Sequence, residues 1–173
     1  MPAMADPNFA GTLTYVCEHN QSGALGVVVN RPTDVTMSEL FAQIDLELRD
    51  PALGARPVLF GGPVMVDRGF VLHRPIGAWQ STLAVADDIA LTTSLDILRA
   101  VARGEGPEDI LVTLGYAGWG PGQLEDEILQ NAWLTVAAEP DLIFGVAHGD
   151  RFGAAMQLLG VDPLLLSDAA GHA

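Results

Sequence analysis

The sequence predicts an α+β domain: a mixed or largely antiparallel sheet with helices around it. Three observations lead there. Apolar, β-branched runs come in adjacent pairs joined by short polar turns, and only some alternate with helices, which argues against a doubly wound parallel sheet. Other stretches carry apolar residues at three- and four-residue spacing with capping residues at their ends. The 173 residues are 49% hydrophobic, enough for one core, since a domain of this size removes about 70% of its extended-chain surface from water.

The elements follow in order. Residues 12–18 (TLTYVCE) and 24–30 (ALGVVVN) read as an antiparallel pair, with HNQSG as the hairpin loop. Asn30-Arg31-Pro32 closes the second strand, because proline donates no ladder hydrogen bond and restricts the residue before it. In TMSELFAQI, Thr36 and Glu39 have capping-box spacing, and Met37, Leu40, Phe41 and Ile44 share one helical face. PVLF (57–60) and GFVLH (69–73) read as strands flanking GGPVMVDR, where Gly61 and Gly62 permit a bend or a close backbone approach.

STLAV and IALTT form another two-strand segment around an Asp87-Asp88 turn. Thr93 is placed to cap a helix with Leu95, Leu98, Val101 and Ala102 inward and Arg103-Gly104 at its exit. EGPED connects to a buried strand, ILVTLGY (110–116), and Pro121 opens a helix with Leu124, Ile128 and Ala132 at four-residue spacing. WLTVA reads as a strand, and DRFGAAMQLLG as a last helix with Phe152, Ala155, Met156 and Leu159 inward. DPLLLSD makes a final turn before a loose tail at 168–173. No repeat or linker divides residues 1–173, which read as one domain.

Charge narrows the function classes. There are 22 acids against 8 bases, every base is arginine, and the net charge is −14; protonating all 4 histidines gives −14 + 4 = −10. Sequence-independent nucleic-acid affinity needs several cations neutralising phosphates, so direct DNA binding is disfavoured, as is docking on anionic lipid. The balance favours a partner with basic surface. Cys17 is the only cysteine, which rules out an internal disulfide and fits a reducing cytoplasm. The N-terminal stretch has no secretory pattern, and no apolar run reaches the roughly 18 residues of a membrane span.

The glycine-rich stretch LGYAGWGPGQ raises the question of a phosphate cradle. It lacks the lysine of a P-loop, and its glycines at 115, 118, 120 and 122 miss the dinucleotide fingerprint. Glu125, Asp126 and Glu127 follow at once. At about 8 Å and an effective dielectric near 20, each would repel a unit negative charge by roughly 2 kcal/mol. A tight strand-to-helix turn, with Tyr116 and Trp119 packed beside glycines, is the favoured reading over a ligand-lined loop.

Cys17 and His19 alternate on one strand face, but i and i+2 side chains stand roughly 6–7 Å apart, too far for direct activation of a nucleophile. A buried thiol is favoured, with redox sensing by Cys17 as the alternative. His19, His73, His148 and His172 form no metal motif, and no cofactor or metal is implied. Asp87 and Asp88 belong to a turn rather than to an acid/base pair. Asn30-Arg31 and Asp67-Arg68 place scarce arginines near strand ends, where a local ion pair or turn cap is favoured over anion recognition. No serine-hydrolase elbow is present.

Several long segments, ADPNFAGTLTYVCEHNQSGALGVVVNRP, LFGGPVMVDRGFVLH, DDIALTTSLDIL and LGYAGWGPGQLEDEILQNAWL, together resemble the bacterial AlgH/YqgE family nearly end to end. The resemblance implies a single cytoplasmic α+β domain with a bent, partly barrel-like sheet and surrounding helices. Its members are often labelled transcriptional regulators, and no catalytic residues come with it. Members typically carry an apolar stretch, read as a first strand, ahead of the segment matching Met1-Pro2; without it a sheet edge is expected to be open or paired with another chain. Asn30, Arg31, Gly61, Gly62, Arg68, Gly118 and Trp119 fall in the signature segments and form the candidate binding surface. The expected function is non-enzymatic regulation through a protein partner or a small ligand. Direct DNA binding and a hydrolase or redox activity using Cys17 are the alternatives.

Overall fold

The computed structural model describes residues 9 and 11–160. The sheet is organised by its longest apolar runs. Eight strands, β1 (Thr14–Asn20), β2 (Gly23–Val28), β3 (Pro32–Thr36), β4 (Pro57–Phe60), β5 (Val64–Arg74), β6 (Thr82–Ala84), β7 (Ala90–Thr92) and β8 (Asp109–Trp119), form one sheet in the order β1-β2-β8-β5-β7-β6, with β4 joining β3 to β8. Every pairing is antiparallel except β4 with β8, and the sheet curls into a half-barrel. The expected α+β class with a largely antiparallel, bent sheet is what forms. The helices are α1 (Met37–Gln43), α2 (Pro51–Gly54), α3 (Leu95–Ala102), α4 (Gln123–Leu129), α5 (Pro140–Gly145) and α6 (Arg151–Leu158), with a 3-10 turn at His148–Asp150.

Both sheet faces are covered, which explains the unbroken apolar runs. On β5, Val71 enters a core beneath α1 and α3 with Phe41, Ile97 and Val112, while Phe70 and Leu72 point the other way, to Val27, Ile89 and Ile143. α1 starts as its sequence dictates, with the Thr36 side chain accepting the Glu39 N–H at 3.2 Å. His73, on the same strand, is sealed in. Its ring nitrogens meet the Pro75 carbonyl at 2.9 Å and the Thr92 hydroxyl at 2.7 Å, and burial pulls its pKa below the ordinary histidine value.

The glycine-rich stretch is mostly strand. β8 runs on through Gly115 and Gly118 to Trp119, and only residues 120–122 turn. One edge of β8 changes partner here: β4 pairs at Thr113 and Leu114, β2 at Ala117–Trp119. The Val28 N–H reaches the Gly61 carbonyl at 2.8 Å across the changeover, and the Gly61 N–H reaches the Leu114 carbonyl at 2.8 Å. Backbones meet so closely that a Cβ on Gly62 would lie 2.2 Å from the Tyr116 carbonyl, and one on Gly115 2.3 Å from the Gly62 carbonyl. Glycine is required there by packing, and no ligand is needed to account for it.

Several local expectations are corrected. The hairpin turn is only Gln21-Ser22, because Asn20 pairs with Gly23 and its side chain accepts the Ser22 N–H at 2.8 Å. Pro32 opens a short strand as well as closing one, since β3 is bonded only to β4. The cap of α3 is Ser94 rather than Thr93, which turns Leu95 outward and Ile97 inward. α4 begins two residues after Pro121, with left-handed Gly122 at its N-cap, and ends before Ala132. WLTVA is not a strand; residues 133–137 are irregular, with Leu134, Thr135 and Ala137 exposed and no ladder pairing to the sheet. The final turn, the 168–173 tail and His172 lie outside the described residues. Among the described residues no helix is long and apolar enough to cross a membrane.

Candidate functional site

An apolar cavity of about 400 Å³ opens between β1 and the C-terminal helical segment. One wall is Thr12–Val16, the start of β1 and the two residues before it; the opposite wall is the irregular stretch Trp133–Glu139 with Ala155 and Met156 of α6. Trp119 and Trp133 meet edge to face at 5.8 Å at its base, and Phe9 contacts both rings. Of the residues lining it, only Glu139 carries a charge.

Two residues of this lining each carry a polar atom that is buried without a hydrogen-bond partner: the Thr14 hydroxyl and the Trp133 indole N–H. Buried polar groups are satisfied in the great majority of cases, and each orphan costs about 1–3 kcal/mol. One donor and one donor/acceptor at an apolar cavity are what a ligand with a single polar head would complete. Among the described residues β1 is also an end strand of the sheet, with Val16 42% exposed beside the cavity.

Of the residues singled out by sequence, Trp119 lines this cavity. Asn30 is spent on structure: its Oδ1 accepts the Leu13 N–H at 2.8 Å and its amide donates to the Gly11 carbonyl at 3.1 Å. Arg31 lies over the Phe60 ring at 5.9 Å, and its carbonyl accepts the Phe60 N–H at 2.7 Å. Asn30, Arg31, Gly61 and Gly62 therefore meet, but at the strand changeover. Gly118 is exposed on β8 opposite Leu25. Arg68 stands exposed on the bulge of β5 between Val64 and Gly69. Arg31 and Arg68 do not converge on the cavity.

Cys17 is buried, its thiol directed to the Tyr15 carbonyl at 3.6 Å, and burial pushes its pKa up to about 12. His19 is exposed and turns to Glu125 of α4 instead, a bond that lowers the Glu125 pKa. The thiol therefore has neither a base nor access. Native protein at pH 8 is expected to react with an aromatic disulfide reagent at least a hundredfold slower than the urea-unfolded chain; equal rates would show an accessible thiolate. Among the described residues no group of three or more His, Cys, Asp or Glu is placed to hold a metal. Asp87 and Asp88 sit in the β6–β7 turn, as their spacing suggested.

Sequence reasoning missed Thr14 and Trp133. Thr14 reads as an ordinary strand residue, and Trp133 was assigned to a strand. Only the fold shows that both lose their partners to one cavity.

Comparison with known proteins places the chain. A family profile described as AlgH-like matches residues 1–164. The chain belongs to the AlgH-like family. It is 60% identical over its full length to a UPF0301 protein of Nitrosospira multiformis, covering 93% of that protein, and 57% identical to one of Cupriavidus metallidurans, covering 91%. The solution structure of the AlgH protein from Pseudomonas aeruginosa matches with a TM-score of 0.81 at 48% identity, over 100% of this chain and 92% of that one. A crystal structure of DIP2367 from Corynebacterium diphtheriae shares the fold, with a TM-score of 0.69 at 19% identity over 90% of this chain and 81% of that one.

Proposed function

We propose that this AlgH-like protein is a non-enzymatic regulatory protein whose state is set by a small, uncharged, largely hydrocarbon molecule bound in the apolar cavity. The observation that carries this reading is the pair of unpartnered polar atoms, Thr14 Oγ1 and Trp133 Nε1, on residues of an otherwise apolar lining. An acceptor on the ligand, such as an amide carbonyl, satisfies the indole N–H. Glu139 and the overall negative charge select against a carboxylate head.

The test is a titration with octanamide followed by tryptophan fluorescence and thermal denaturation. A saturable change in emission from Trp119 and Trp133, with a rise in Tm, is expected, because a ligand held at 100 times its Kd stabilises the native state by about 2.7 kcal/mol. Ala138→Trp, which fills the exposed mouth, abolishes both responses without lowering the unliganded Tm. Absence of any saturable response in the unaltered protein refutes the reading.

A second reading is supported by β1 as an end strand: a partner protein adds an extended segment along Thr12–Val16. Direct duplex binding finds no support in the charge of the chain. A gel shift at 150 mM salt is expected to show no retardation, and tight binding with a steep salt dependence would reverse that view.

A further inference from the structure

A second cavity, of about 390 Å³, has the opposite electrostatic character. Its lining contains Arg56, Arg151 and His148 and no Asp or Glu, in a chain with 22 acids and 8 bases. The rest of the wall is apolar, with Met37, Leu59 and Phe144 among its residues.

The arginines are placed in an unusual way. Arg151 is only 6% exposed, yet its guanidinium meets no carboxylate; Nε donates to the Val146 carbonyl at 2.9 Å and Nη1 to the Val29 carbonyl at 2.5 Å. Nη2 makes no hydrogen bond among the described residues and is not among the sealed, unpartnered atoms. Arg56 faces the same cavity with no ion-pair partner among the described residues, close enough for its charge to act on Arg151. Arginine cannot shed its proton to relieve such a pair. Arg74 holds Asp109 at 2.6 Å and Asp141 at 3.0 Å, and Arg103 holds Glu105 at 3.0 Å; Arg49, Arg68 and Arg99, like the exposed Arg56, have no ion pair among the described residues, so it is the burial of Arg151 beside a second cation that sets this cavity apart. Two unneutralised guanidiniums at one apolar-walled cavity are a built counter-charge with no anion from the protein to meet it.

We propose that this cavity binds a phosphate monoester bearing a short apolar group, its oxygens held by Arg56, Arg151 and His148 and its apolar part against Leu59 and Phe144. Two guanidiniums suit a tetrahedral dianion better than a monocarboxylate, because Arg56 can span a pair of its oxygens while the remaining Nη2 of Arg151 donates to a third. The site is separate from the apolar cavity, and neither reading depends on the other.

The experiment is calorimetric titration of the full chain in 150 mM salt with phenyl phosphate, alongside inorganic phosphate and benzoate. Saturable binding of phenyl phosphate is expected, at least tenfold tighter than benzoate and tighter than inorganic phosphate. Arg56→Gln is expected to weaken it at least tenfold, while Arg99→Gln, which makes the same change of charge on α3, leaves it within twofold. In the absence of anion Arg56→Gln is expected to hold or raise the Tm, since it removes a like charge; a purely structural arginine would lower it. The proposal is overturned if the unaltered protein shows no saturable binding, if benzoate binds as tightly, or if Arg56→Gln binds as well as the parent.

Discussion

Gly62→Ala is expected to destabilise the domain by roughly 4 kcal/mol or more, at the extreme of single-substitution effects. At about 2–4 °C per kcal/mol for a chain of this size, the Tm falls by roughly 8–16 °C, or no folded protein is recovered. The added methyl would sit 2.2 Å from the carbonyl carbon and oxygen of Tyr116 and 2.4 Å from the Ala117 nitrogen. Those are backbone atoms of the central strand, so no rotamer change relieves the collision. The φ of +153° is also one that side-chain-bearing residues rarely adopt. Gly69→Ala is the control: at the end of the β5 bulge a Cβ there meets nothing within 4 Å, and its Tm is expected to stay within about 2 °C. Circular dichroism melts of the two variants check both. A stable Gly62→Ala would mean that β8 and the loop before β5 are farther apart than described, and that this glycine owes its place to something other than packing.

That glycine marks the boundary of what the sequence discloses. Where local chemistry decides, the reading and the fold agree: the Thr36 cap sets α1, the Asp87-Asp88 turn joins β6 and β7, and Gly104 ends α3. Each of these is fixed within a few residues of chain. Apart from shifts of one or two residues, such as Ser94 for Thr93 at the α3 cap, the failures share one cause, which is that a distant segment decides. The expected strand stops at Tyr116 and Gly118 looks like part of a turn, yet pairing with β2 carries the strand on to Trp119. WLTVA has strand composition but stands across the apolar cavity from β1 and pairs with no strand. The candidate surface divides the same way. Trp119 reaches the apolar cavity, whereas Asn30, Arg31, Gly61 and Gly62 are drawn into the joint between β2, β4 and β8. The two cavities are assembled from residues more than a hundred positions apart, such as Thr14 with Trp133, and no local spacing encodes that.

Arg151→Met is expected to cost about 3 kcal/mol. The substitution keeps most of the side-chain length but leaves two carbonyls without the guanidinium. Those bonds, to Val146 just past α5 and to Val29 just past β2, fasten the α5–α6 link to the sheet. A hydrogen bond involving a charged group contributes about 1.5–3 kcal/mol, so two lost together would amount to about 3–6. Against that loss stands relief: a charge is no longer desolvated, and the repulsion from Arg56 disappears. A double-mutant cycle with Arg56→Gln in urea denaturation separates the two. Arg56→Gln is expected to stabilise the parent by a few tenths of a kcal/mol and to do nothing once Arg151 is gone, because its only listener has been removed. The consequences should reach the first cavity, since Leu142, Ile143, Ala155 and Met156 on either side of that fastened link form part of its wall. Arg151→Met is therefore expected to weaken octanamide binding severalfold although Arg151 itself is not part of that lining; it reaches the wall only through the Val29 carbonyl. If its stability matched the parent's, the guanidinium would not be what holds the α5–α6 segment against β2, and the common anchoring of the two cavities would fall with it.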